Sequence, residues 1–111
     1  MNNEESIEII ENDVLAVGVS GWDGGYFMWQ RGLTEETGAS DGIYFEFDDQ
    51  SNGGFNIVKE CTITNDGMHV LLSNRSLAHL YFPKGFTRFK ELKDSLLKMY
   101  QGSEHVLAFN I

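Results

Sequence analysis

Ile43-Tyr44-Phe45-Glu46-Phe47-Asp48 is the stretch that decides the fold. Its residues alternate, so Ile43, Phe45 and Phe47 share one face of a strand while Tyr44, Glu46 and Asp48 share the other. One apolar face and one acidic face mark a half-buried strand of an antiparallel sheet. Upstream, Gly32 to Gly42 (GLTEETGASDG) is polar, acidic and rich in glycine, the composition of a loop. Before it, Tyr26 to Arg31 (YFMWQR) is an aromatic strand with bulk on both faces. Phe27 and Trp29 fall on one face, Tyr26 and Met28 on the other. Gly21 to Gly25 (GWDGG) is a turn whose glycines supply positive φ. Val14 to Val19 is a continuous apolar run and reads as a buried strand. Ser6 to Ile10 alternates weakly ahead of a turn at Glu11-Asn12-Asp13.

Downstream, Asp49 to Gly54 (DQSNGG) reads as a second loop and Phe55 to Thr64 as a strand. Asn65-Asp66-Gly67 is the strongest hairpin turn in the chain, with Met68 to Leu72 as the returning strand. Leu77 to Phe82 is a short strand ended by Pro83. Phe86 to Tyr100 carries the helical period: Phe89, Leu92, Leu96 and Met99 form one stripe, and the charged residues fall mostly outside it. Gly102 stands where a helix stop is expected, and Val106 to Ile111 supplies a last strand. The expected architecture is α+β, a mainly antiparallel sheet of meanders and hairpins with one C-terminal amphipathic helix packed on it. Residues 1–111 form a single domain, with disorder expected only at residues 1–5.

Charge is unevenly spread. The net charge is −9, but residues 1–60 hold 13 acidic side chains against Arg31 and Lys59, a balance of −11. Residues 61–111 hold 4 acidic and 6 basic side chains, a balance of +2. Such a field repels nucleic acid and anionic membrane and attracts cationic proteins. Neither is therefore expected as a partner. An N-terminus carrying Glu4, Glu5 and Glu8 lacks the basic stretch of a signal peptide, and no apolar run approaches the roughly 20 residues of a membrane span. A cytoplasmic location is expected. Cys61 is alone, which excludes an intrachain disulfide and reads as a small buried hydrophobe in a strand.

Motifs that carry chemistry are scarce. His69, His79 and His105 have no Cys or His at ligand spacing, so no metal site is expected. No G-x-S-x-G elbow is present, and neither GWDGG nor NGG has a dinucleotide or P-loop pattern. Glu46 and Asp48, two apart on one strand, are paired carboxylates roughly 7 Å apart. Their simpler reading is a solvated strand face or an acidic patch that meets a partner. No catalytic residue and no cofactor are assigned, and the chain is expected not to be an enzyme. Trp22 on its turn and Tyr44 are candidate aromatic anchors.

YFMWQR at 26–31, IYFEFDDQ at 43–50 and NGGFNIVKE at 52–60 resemble a family of bacterial immunity proteins from polymorphic toxin systems, the one catalogued as immunity protein ten. The resemblance spans roughly residues 14–73. Members are short, single-domain and strand-rich, and the matching positions are Gln30, Arg31, Glu46, Asp49 and Gln50. The resemblance implies neutralisation of a cognate protein toxin by direct binding, without catalysis. An acidic inhibitor suits a basic toxin such as a nuclease. The expected partner-binding residues are Trp22, Glu35, Glu36, Asp41, Tyr44, Glu46, Asp48 and Asp49. A small-ligand-binding or enzymatic α+β domain with an aromatic-lined pocket is the alternative. Open sheet edges also allow self-association into a homodimer.

Overall fold

The computed structural model describes residues 6–21, 25–82, 85–86 and 88–110. The expectations for residues 1–5 and for Trp22 lie outside this set. Among the described residues nine strands and one α-helix follow in order: β1 Ser6–Glu11, β2 Val14–Ser20, β3 Tyr26–Gly32, β4 Ile43–Phe47, β5 Asp49–Phe55, β6 Val58–Thr64, β7 Gly67–Leu72, β8 Leu77–Tyr81, α1 Phe89–Met99 and β9 Leu107–Asn110. They form two sheets, β1-β2-β3-β4-β5 and β8-β7-β6-β9. Every pairing is antiparallel except β6 with β9, which is parallel. The chain is thus α+β, as its alternation and its single helical stripe predict.

Short polar side chains set the reversals. Asn12 Oδ1 accepts the amide of Val14 (3.0 Å) and turns β1 into β2. The Asn65-Asp66 turn joins β6 to β7, with Thr64 Oγ1 donating to Asp66 Oδ1 (2.9 Å). Between β3 and β4 the loop folds back through Thr34 and Thr37, whose hydroxyls lie 2.9 Å apart. Thr37 Oγ1 also donates to the carbonyl of Asp13 (2.9 Å), which ties the loop to the β1–β2 turn.

Two expectations need correction. Residues 49–54 are strand β5, not a loop, and β4 reverses directly through Asp48 at φ 63°. Aspartate tolerates this left-handed conformation better than most side chains. The polar, glycine-rich composition disguises β5 because it is an edge strand, held by backbone pairing to β4 and by Asn52 Nδ2 donating to the Phe47 carbonyl (3.0 Å). The second correction is that the predicted strand 55–64 is interrupted. Phe55 ends β5, and Asn56 (φ 58°) turns the chain into β6 while its Oδ1 accepts the Ile43 amide (3.0 Å).

Side chains from both sheets and from α1 share one core. The odd-numbered apolar residues of β1–β4 point into it. Phe27, Trp29 and Phe45 form its aromatic centre, with ring centroids 5.1 to 5.9 Å apart. From the second sheet come Cys61, Ile63, Met68, Val70 and Leu80. Cys61 is fully buried in β6, as a small hydrophobe would be.

Helix α1 covers the inward side of the first sheet and buries Leu92, Leu96 and Met99. It begins three residues later than the periodicity predicts. Gly85 takes φ 79°, and Phe86 packs against Phe82 in a tilted arrangement with centroids 4.4 Å apart instead of joining the helix. Both helix ends are fastened to the first sheet. The Arg88 guanidinium donates to the Ile7 carbonyl (2.7 Å), and Arg31 donates to the carbonyls of Met99 (2.8 Å) and Gln101 (3.1 Å). The last carbonyls of a helix lack intrahelical partners and carry partial negative charge, so a guanidinium there satisfies both needs. Deeper in, Trp29 Nε1 donates to the Tyr100 hydroxyl (3.0 Å). Among the described residues no helix is long and apolar enough to cross a membrane.

Candidate functional site

Because α1 occupies the inward side, the even-numbered residues of β1–β4 define an outward face. The strand register lays these residues in rows. One row runs Ile10, Ala16, Gln30, Tyr44, Phe55, and the next runs Glu8, Gly18, Met28, Glu46. Ile10 and Phe55, at the two ends of the first row, are each 56% exposed. Aromatic and aliphatic groups therefore flank a polar centre.

Glu46 is that centre, and it is only 6% exposed although it points outward. Two phenols cover it. Tyr44, two residues back on the same strand, donates to Oε1 (2.8 Å), and Tyr26, diagonally across on β3, donates to Oε2. A buried carboxylate must be paired or hydrogen-bonded to be tolerated, and here each oxygen has a donor. The same bonds act on the phenols. The hydrogen bond to Glu46, then burial, then the charges of Glu46, Asp49 and Asp48 push Tyr26 up to about 12. The hydrogen bond to Glu46 likewise raises Tyr44. Both tyrosines remain protonated donors at neutral pH, so the cluster presents a fixed carboxylate held by two neutral phenols.

Backbone geometry makes room for this arrangement. A Cβ on Gly53 of β5 would stand 2.2 Å from the Tyr44 hydroxyl and 3.0 Å from Glu46 Cβ. Glycine lets the edge strand pass beneath Tyr44 without displacing the phenol from Glu46. Gly53 is therefore needed for close approach rather than for turning.

The other expected site residues are strung along β4. Glu35, Glu36 and Asp41 are exposed in the β3–β4 loop at its start. Asp48 and Asp49 are exposed at its far end. The pairing of Glu46 with Asp48 on one strand face does not hold. Asp48 leaves the strand in a left-handed conformation and its Oδ1 accepts the Tyr26 amide (2.9 Å). Asp49 accepts from Ser51 Oγ (2.9 Å). Of the positions carried by the resemblance, Gln30 is exposed on the outward face, whereas Arg31 points to the helix end and supports the fold. The structure thus unites Tyr44 and Glu46 and spreads the remaining acids to either side.

Tyr26 is the member that sequence reasoning missed. Its signal is parity: it shares the outward face with Met28, and Met28 stands opposite Glu46. A tyrosine two residues along reaches the same carboxylate on the diagonal.

A cleft adjoins the row at the loop end, where Gln30, Tyr44 and Phe55 face Thr37, Gly38 and Asp41. It leaves an apolar edge beside exposed carboxylates. Among the described residues no cluster of three or more His, Cys, Asp or Glu is placed to hold a metal ion. No family model, no curated protein and no solved structure matches this chain.

Proposed function

We propose that this chain is a non-catalytic binding protein that neutralises a cognate bacterial protein toxin by docking the outward face of its five-stranded sheet on a basic surface of that toxin. The observation that carries this reading is the acidic line along β4. Exposed Glu35, Glu36 and Asp41 stand at one end, exposed Asp48 and Asp49 at the other, and the phenol-covered Glu46 between them. Opposed charge steers a basic partner and sets its register, while the half-buried and exposed apolar groups of the face supply contact area. A nuclease that grips phosphates presents such a basic surface, and an inhibitor seated there blocks access of nucleic acid. The sequence resemblance to immunity proteins of polymorphic toxin systems supports the same partner class.

The test is co-expression with the toxin encoded beside this gene, followed by binding measured across a salt series. The wild-type chain is expected to protect cells and to bind less tightly as salt rises. Reversing the exposed acids together (E35K, E36K, D49K) is expected to weaken binding by about tenfold or more at low salt and by less at high salt. A triple variant that protects and binds like the wild type overturns the reading, as does a wild-type chain that binds no neighbouring toxin.

A further inference from the structure

The second sheet carries an arrangement that the proposed function leaves unused. On its outward side, His69 of β7 and His79 of β8 are directly opposed in the register. Their rings meet at Nδ1 to Nδ1, 2.7 Å apart, with centroids 5.0 Å apart. The 10-residue spacing hides this relation in the sequence. Only the reversal between Leu72 and Leu77 turns it into a contact.

Both rings are held from the side. Gly67 sits two residues before His69, on the same face, and a Cβ there would lie 3.6 Å from His69 Nε2. That is ordinary contact with the ring; what requires glycine here is the Leu80 carbonyl oxygen, 2.5 Å from the same position. Tyr81, opposite Gly67, stacks on His79 with an interplanar angle of 24° and meets His69 edge-on. His79 is exposed and β8 is the outer strand of its sheet, so the nitrogens are reachable from water.

We propose that His69 and His79 form a two-histidine site for a borderline divalent cation of the zinc, nickel or copper class, with water completing the coordination shell. Imidazole is a preferred ligand for these ions. Two metal–nitrogen bonds of about 2.0–2.1 Å at an angle of about 90–110° place the nitrogens roughly 3 Å apart. The observed 2.7 Å separation therefore needs to open by a few tenths of an ångström, and the rings need to turn so that both lone pairs converge on the ion. At that distance the free pair shares one proton between the two Nδ1 atoms. Binding moves this proton to Nε2 of the ring that carried it, so both Nδ1 lone pairs face the ion and no net proton is lost. Burial and the neighbouring His79 lower the His69 pKa, which keeps its ring in the neutral, metal-competent form. Asp66 lies near enough to bear on His69 and adds negative charge beside the cation.

Zinc chloride titrated into the whole chain, followed by calorimetry and by nitrogen-15 shifts of the imidazoles, tests the site. One zinc per chain is expected, with the Nδ1 signals of His69 and His79 moving together. H69Q and H79Q are each expected to weaken binding by about tenfold or more, and H105Q to leave it unchanged. H79Q replaces an exposed side chain, so a native spectrum for that variant separates loss of a ligand from loss of the fold. Equal zinc affinity in H79Q and the wild type overturns the proposal, as does a shift confined to one of the two rings or no binding by the folded wild type.

Discussion

Tyr100→Phe isolates one contact between the helix and the first sheet. Trp29 is fully buried, and its Nε1–H points to the Tyr100 hydroxyl at 3.0 Å. Tyr100 is itself 3% exposed, and burial holds its phenol pKa well above the ordinary value, so the hydroxyl stays neutral. Phenylalanine keeps the ring and its packing while removing the acceptor. A hydrogen bond is worth about 1 kcal/mol net, and a buried donor left without a partner costs about 1–3 kcal/mol. The substitution is therefore expected to destabilise the fold by about 2 kcal/mol. With a urea m-value of about 2 kcal/mol/M, the unfolding midpoint falls by about 1 M at unchanged m. The same measurement on Trp29→Phe and on the double variant closes a cycle. Once the donor is gone, the hydroxyl has little left to contribute, so the two changes are expected to be less than additive by about 1 kcal/mol or more. A Tyr100→Phe midpoint within about 0.2 M of wild type refutes the reasoning, because the indole would then be satisfied without the hydroxyl.

Other outcomes follow from the same geometry. Burial pushes the Cys61 thiol up to about 12, so the folded chain keeps it protonated while the unfolded chain ionises near its ordinary value of about 9. Its contribution to stability is full below about pH 9 and is lost as pH rises toward 12. Urea midpoints at pH 7, 9 and 10.5 are expected to fall more steeply above pH 9 in the wild type than in Cys61→Ala. Gly53→Ala sets a methyl against the Tyr44 hydroxyl and is expected to push Tyr44 away from Glu46. An NMR pH titration then shows Tyr44 returning toward the ordinary tyrosine value while Tyr26 stays raised. Phe45→Ala empties the centre of the aromatic core and is expected to cost about 3–5 kcal/mol by urea unfolding, whereas Phe55→Ala, 56% exposed, costs less than about 1 kcal/mol.

Where alternation was strong, the sequence was legible. Parity places Phe27 and Trp29 together on one face of their strand and Phe45 on the apolar face of its own, and all three are buried. The stripe of Phe89, Leu92, Leu96 and Met99 located the helix, although its start was displaced by the left-handed Gly85. Strand β5 escaped because its pairing is a property of the backbone, and Gln50-Ser51-Asn52-Gly53 carries no apolar face to announce it. The partition into two sheets was hidden for a related reason. It depends on β9 pairing in parallel with β6, a contact across more than forty residues. The acidic character of β4 was visible in composition. The covering of Glu46 was not, since it needs Tyr26 and Tyr44 to arrive from two strands in one register. The histidine pair is not legible as spacing along the chain, because a hairpin brings residues together by reflection about its turn.

The way α1 and β9 are shared between the sheets has a consequence for synthesis. Residues of β1–β8 leave the ribosome as successive antiparallel neighbours, so each sheet has its local partners early. The helix that closes over β1, β2 and β3 and the strand that pairs with β6 are both made after that, from one continuous stretch. Until this stretch emerges, the inward face of the first sheet lacks its helix and β6 has one bare edge. During translation the nascent chain is therefore sticky on the side that later becomes its interior, and the acidic side is the one it shows safely to water throughout.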